Sequence, residues 1–241
     1  MQRQYHRWWS PSLGREMELL VLGHSGARML VFPTSRGRFY EWEDRGMFGH
    51  QCLGHHLTQG WLQAFCVDSV DDESWYNHSV HPGHRGWRQT QYLRYITDEV
   101  LPLSIAINPN PFLITAGASF GAYHAICFAF KYPHLVGRAI GMSGIYDIKR
   151  FTNGYSDDNV YFNNPMDFIQ HEHEWGRLEA LRRIDIILAV GRDDPLRGES
   201  EHLSAILWRK GIGNALRIWD GWAHDWPYWQ RMMQLYVGGH D

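Results

Sequence analysis

An apolar run, Pro111-Phe112-Leu113-Ile114-Thr115-Ala116, leads directly into Gly117-Ala118-Ser119-Phe120-Gly121, and the stretch Ala122–Phe130 then continues without a breaker until Pro133. Few folds are open to a chain that passes from strand to helix through a serine bracketed by glycines. The turn must be so tight that neighbouring backbone approaches positions 117 and 121, where a side chain would stand in the way. In that setting the G-x-S-x-G spacing predicts a nucleophile elbow, with Ser119 held in strained backbone. Ser119 would then stand at a helix N-terminus, where unpaired N–H groups and the positive end of the helix dipole face any oxyanion formed beside it.

The elements around the elbow follow an alternating order. Strand patterns cover Glu16–Gly23 and Ala27–Phe32, joined by the short Gly-containing link His24-Ser25-Gly26, which predicts an antiparallel hairpin. Trp61–Val70 reads as a strand, and Gln89–Leu101 as a helix closed by Pro102. Beyond the elbow, strands are expected at Val136–Met142, Ile184–Val190 and Ala215–Trp219, with helices at Glu199–Lys210 and Pro227–Val237. Strands that alternate with helices and read as continuous apolar runs point to an α/β fold, a mostly parallel sheet covered on both faces, with the hairpin as its antiparallel edge. No repeat or linker divides the chain, so residues 1–241 are expected to form one domain. Within it, the polar, aromatic and Asn-rich stretch 147–183 is expected to line or cap a site at the carboxyl edge of the sheet.

Composition narrows the chemistry. A net charge of −3 without long basic or acidic runs leaves no electrostatic footprint for nucleic acid or an anionic membrane. The opening Met1-Gln2-Arg3-Gln4-Tyr5-His6-Arg7-Trp8-Trp9 lacks the apolar stretch of a signal peptide, so a cytoplasmic location is expected. Three scattered cysteines, Cys52, Cys66 and Cys127, suit neither a disulfide framework nor a thiolate zinc site. The histidine groups His78, His81 and His84, and His171 with His173, have spacings that loops often produce by accident, and no metal or other cofactor is expected. The many Trp and Tyr rings suit an aromatic-sided pocket for a small molecule.

A serine nucleophile needs a base, and the base needs an acid to fix its tautomer. Gly191-Arg192-Asp193-Asp194-Pro195 follows the strand at Ile184–Val190, and Asp220-Gly221-Trp222-Ala223-His224-Asp225 follows the last strand. Both loops open on the sheet edge that carries Ser119, in the chain order Ser, Asp, His. Asp194, with Asp193 as the alternative, is the candidate acid and His224 the candidate base, while Asp225 fits a helix cap. Candidate oxyanion donors are the N–H of Phe120 and that of Ser35, with Thr34 close behind, in the loop Pro33-Thr34-Ser35-Arg36-Gly37-Arg38. Trp75, Tyr76, Tyr123 and Trp222 neighbour these loops and are candidate pocket residues.

With these residues in place the chain resembles the α/β-hydrolase superfamily and, within it, the esterase family that includes S-formylglutathione hydrolase (esterase D), feruloyl esterases and mycolyltransferases. The resemblance covers nearly the whole chain. It rests on Phe32-Pro33-Thr34-Ser35, Asp68-Ser69 with Ser74-Trp75-Tyr76, the elbow, Met142-Ser143-Gly144, Gly191-Arg192-Asp193-Asp194 and Gly221-Trp222-Ala223-His224-Asp225-Trp226. The Gly-x-x-Asp form of the acid turn favours Asp194. The oxyanion loop departs from the His-Gly-Gly type of many esterases. The resemblance implies a serine esterase for a carboxylic ester or thioester, working through an acyl-enzyme. An acyltransferase with the same triad, or a hydrolase-fold binding protein without chemistry, are the alternatives.

Overall fold

The computed structural model describes residues 1–239. Eight strands form one sheet: β1 (Arg3–Ser10), β2 (Arg15–Leu22), β3 (Ala27–Phe32), β4 (Leu62–Val67), β5 (Leu113–Ala118), β6 (Arg138–Met142), β7 (Asp185–Gly191) and β8 (Ala215–Trp219), in the order β1-β2-β4-β3-β5-β6-β7-β8. From β4 through β8 neighbouring strands are parallel, and β2 runs antiparallel to both β1 and β4.

The antiparallel hairpin exists, but its strands are not those expected from the sequence. β2 pairs along its whole length with β1, from Arg3 opposite Leu22 to Ser10 opposite Arg15. β2 and β3 do not pair, because β4 lies between them. Burial explains the choice: every residue of β4 is buried, and such a strand needs neighbours on both sides. The alternately exposed and half-buried β1 suits an edge. The Gly23–Gly26 link still reverses the chain, with φ of 90° at both glycines, and lets β2 and β3 splay around the incoming strand.

Short helices α1 (Glu41–Asp44) and α2 (Gly54–Thr58) lie between β3 and β4, and α3 (Pro82–Tyr95) follows β4. The helix expected at Gln89–Leu101 thus begins earlier, at Pro82, where His81 Nδ1 accepts from Gly83 N–H. It also ends later, passing through a π-helical turn (Ile96–Val100) into α4 (Leu101–Ile107). Pro102 was expected to stop the helix. Instead the helix continues through it, the wider π-turn just before it giving room to the ring that would clash with an ordinary α-helical turn. The π-turn also presents Glu99 to the hairpin, where its carboxylate accepts from Trp8 Nε1 (2.7 Å), Ser10 Oγ (2.8 Å) and Ser12 N–H (3.1 Å).

Helix α5 (Phe120–Lys131) follows β5. Between β6 and β7 the chain makes four short helices, α6 (Lys149–Thr152), α7 (Asp158–Tyr161), α8 (Pro165–Phe168) and α9 (Trp175–Arg182), within the segment singled out as an excursion. Its asparagines stitch it down: Asn163 Nδ2 donates to Gly86 O, Thr90 Oγ1 and Asn159 O, and Lys131 Nζ donates to Asn163 Oδ1. Helix α10 (Arg197–Arg209) precedes β8, and α11 (Trp226–Tyr236) closes the described chain under the Asp225 cap.

Alternating strand residues divide the core in two. Leu19, Val21, Leu30, Phe32 and Leu188 pack against α3, α5 and α10. Leu20, Leu22, Met29, Val31 and Ala189 pack against α1, α2 and α11. Among the described residues no helix is long and apolar enough to cross a membrane.

Candidate active site

Two glycines make the elbow possible. A Cβ on Gly117 would lie 2.1 Å from the Gly121 carbonyl carbon, and one on Gly121 would lie 2.5 Å from the carbonyl oxygens of Phe32 and Pro33. The helix therefore meets the end of β3 backbone to backbone. Ser119 closes the turn at φ 53°, ψ −118°, its N–H bonded to Met142 O at 2.8 Å, and remains partly exposed. Gly121→Ala is expected to lower Tm by about 3–10 °C, the usual cost of one overpacked core atom in a chain of this size. It should also slow turnover, since Pro33 and Ser35 would be displaced. A thermal melt and an ester assay check this, and an unchanged Tm would mean that the contact yields freely.

The carboxyl ends of β7 and β8 bring two further groups to Ser119. His224 Nε2 lies 3.3 Å from Ser119 Oγ, and its Nδ1 lies 2.8 Å from Asp194 Oδ2. The other Asp194 oxygen accepts from Leu196 N–H at 2.9 Å. Asp194 is buried while Asp193 is exposed, so of the two candidates it is Asp194 that reaches the imidazole. Burial pushes the Asp194 carboxyl up, but the hydrogen bonds from His224 and from the Leu196 N–H outweigh it and hold the group below its ordinary value. The imidazole is packed between rings: Trp222 stacks on it at 5.5 Å and Trp229 meets it edge-on at 5.4 Å. Trp229 Nε1 also donates to Ser143 Oγ, which donates in turn to Ala223 O.

The loop after β3 holds its N–H groups in a definite pattern. Thr34 N–H donates to Glu41 Oε2 (2.7 Å) and Arg36 N–H to Asp71 Oδ2 (2.8 Å), leaving the Ser35 N–H between them uncommitted. Of the two candidate donors, the Thr34 N–H is thus already spent on Glu41. The Phe120 N–H, at the first position of α5, has no intrahelical acceptor. Five non-glycine residues of the described chain have positive φ. Four of them, Arg36 (57°), Ser119 (53°), Ser143 (49°) and Ala223 (44°), belong to these loops. Strained backbone gathers where groups must be aimed.

The expected pocket residues divide. Tyr76 lies beside the elbow, its ring against Phe120 (5.2 Å) and Phe151 (5.1 Å) and its hydroxyl donating to Ser35 Oγ (2.8 Å). Trp222 is 53% exposed beside His224. Trp75 and Tyr123, in contrast, are wholly buried: Trp75 Nε1 donates to the Tyr123 hydroxyl, which donates to Asn163 O. They anchor the excursion and offer no surface to a ligand. Phe151, from α6, is the ring that residue-by-residue reading did not single out, though its segment was marked as site-lining. The histidine groups have local tasks, His81 capping α3 and His171 Nδ1 donating to Asp167 O. Among the described residues no group of three or more His, Cys, Asp or Glu converges as a metal site.

A family model described as "Putative esterase" matches residues 64–236. No curated protein matches the chain by sequence. Among solved structures the chain is similar to a ferulic acid esterase, with a TM-score of 0.78 at 16% identity over 98% of this chain and 96% of that one. It is similar to an S-formylglutathione hydrolase from Agrobacterium tumefaciens, with a TM-score of 0.74 at 14% identity over 98% and 93% of the two chains. It is also similar to MPT51 (FbpC1) of Mycobacterium tuberculosis, with a TM-score of 0.61 at 18% identity over 99% of each. At these identities the likeness is one of fold, the α/β-hydrolase sheet described above.

Proposed function

Since the chain belongs to this esterase family and is a carboxylesterase-type hydrolase, we propose that it cleaves a carboxylic ester or thioester through an acyl-enzyme formed on Ser119. The observation that carries the proposal is the continuous hydrogen-bonded line from Asp194 through His224 to Ser119 Oγ, ending at the N-terminus of α5. Ser119 Oγ attacks the carbonyl carbon as His224 Nε2 takes its proton. Asp194 holds the Nδ1–H tautomer and stabilises the imidazolium that forms. The N–H groups of Phe120 and Ser35 receive the oxyanion. Collapse expels the alcohol or thiol with the proton from His224, and a water activated by the same imidazole releases the acid.

Tyr76, Phe151 and the exposed face of Trp222 border the line and offer apolar flanks for a small substrate. The proposed partner is accordingly a small-molecule ester. A fluorophosphonate probe followed by peptide mapping tests the reading. Label is expected on the peptide containing Ser119, and a folded protein labelled elsewhere, or unlabelled, would refute it. Product analysis with added alcohols distinguishes release to water from transfer to another acceptor.

A further inference from the structure

Behind the elbow lies a second acid–imidazole contact that the chemistry above does not use. His124, one turn into α5, places Nε2 2.9 Å from Asp71 Oδ1, and both side chains are wholly inaccessible to solvent. Phe32, Tyr92, Phe120 and Tyr123 surround the imidazole at 4.9 to 5.8 Å between ring centres, and Gln89 Nε2 lies 3.3 Å from its Nδ1. A carboxylate in such surroundings must have its lone pairs occupied. The second oxygen of Asp71 is occupied by the Arg36 N–H, in the loop that carries Ser35.

One carboxylate thus touches both halves of the proposed oxyanion site. Through His124 it grips α5, whose first residue supplies the Phe120 N–H. Through Arg36 it grips the loop that supplies the Ser35 N–H. Arg36 stands at φ 57°, a conformation that strains a residue with a Cβ and needs a partner to hold it. On the other side of Ser35, Glu41 fixes Thr34. The Ser35 peptide is therefore clamped at both flanks, and only the Asp71 clamp is tied to the nucleophile's own helix.

We infer that Asp71, braced by His124, is a positioning residue that holds the Ser35 N–H in register with the Phe120 N–H. The inference rests on the assignment of Ser119 as nucleophile and of these two donors as its oxyanion site. Without the carboxylate, Arg36 relaxes toward negative φ and the Ser35 peptide turns away. A ground-state carbonyl loses little by this, whereas a tetrahedral oxyanion loses a donor.

The test uses the full chain and a chromogenic short-chain ester. Asp71→Leu, similar in size but without acceptors, is expected to lower kcat about 10–100-fold with KM within about twofold. It should weaken by a similar factor the binding of a phenylboronic acid, which forms a tetrahedral adduct on serine. Asp71→Asn keeps one oxygen for the Arg36 N–H and is expected to recover most of kcat. Asp72→Ala removes only the exposed carboxylate that pairs with the Arg36 side chain at 2.7 Å, and should leave kcat unchanged. Wild-type kcat in Asp71→Leu, a loss confined to KM, or equal losses in Asp71→Leu and Asp71→Asn would overturn the inference. Should Asp71→Leu fail to fold, His124→Leu takes its place, removing the brace while leaving Asp71, and an undiminished kcat there would overturn it. A wrong nucleophile is visible separately, because Ser119→Ala would then still turn over.

Discussion

Ser119→Ala is expected to lower kcat about 10⁶-fold while leaving the protein folded. Ser119 Oγ has one hydrogen-bond partner, His224 at 3.3 Å, and the residue is partly exposed, so its hydroxyl contributes little to stability. Alanine inherits the same left-handed backbone, and the strain of the turn is unchanged. What disappears is the attacking oxygen, leaving only the binding of substrate and the N–H donors, worth about 10³–10⁴ over water. Single-turnover and steady-state assays beside a thermal melt decide it. Activity within tenfold of wild type, in protein of unchanged Tm, would remove Ser119 from the chemistry.

Asp194→Asn is the second large effect, with kcat expected to fall about 10⁴-fold. Asparagine has nearly the shape of aspartate, but its amide can present N–H to the imidazole. His224 would then carry its proton on Nε2, facing Ser119, and could no longer accept the serine proton. The same substitution changes the acid limb of stability. Because the native carboxyl is held below its ordinary value, its contribution is fully present above the unfolded-state pKa, about 4, and is lost as pH falls through the lower native value. The Tm gap between wild type and Asp194→Asn is therefore expected to be level near neutrality and to close below about pH 4. A gap that widened in acid would contradict the direction of the shift.

The elbow was legible because its constraint is local: a strand, a tight turn and a helix in consecutive residues leave the same trace in any chain that uses them. The order of Asp194 and His224 was legible because each follows a strand, and parallel strands bring their carboxyl ends to one edge. The hairpin was misplaced because a short glycine link between two apolar runs looks the same whether the strands pair or part. Only the complete burial of β4 decides which. Trp75 and Tyr123 sit close in sequence to site residues, but neighbours along a strand end or helix point in different directions, and these two point inward. Asp71, Glu41 and His124 gave no signal, since their partners, loop N–H groups for the two carboxylates and the Asp71 carboxylate for His124, are brought to them by the fold and follow no motif in the chain.

The four left-handed residues around the site have a consequence beyond catalysis. At roughly 1–2 kcal/mol each they withhold several kcal/mol from a folding free energy that in domains is typically about 5–15 kcal/mol. That sum is also what absorbs random substitution elsewhere in the chain. A lineage carrying this site therefore drifts within narrower bounds than one with a relaxed sheet edge. Glycine at Arg36, Ser143 or Ala223 would widen those bounds by surrendering the aim of the loops, so the mutational tolerance of the whole chain and the accuracy of its site are set against each other in the same few dihedral angles.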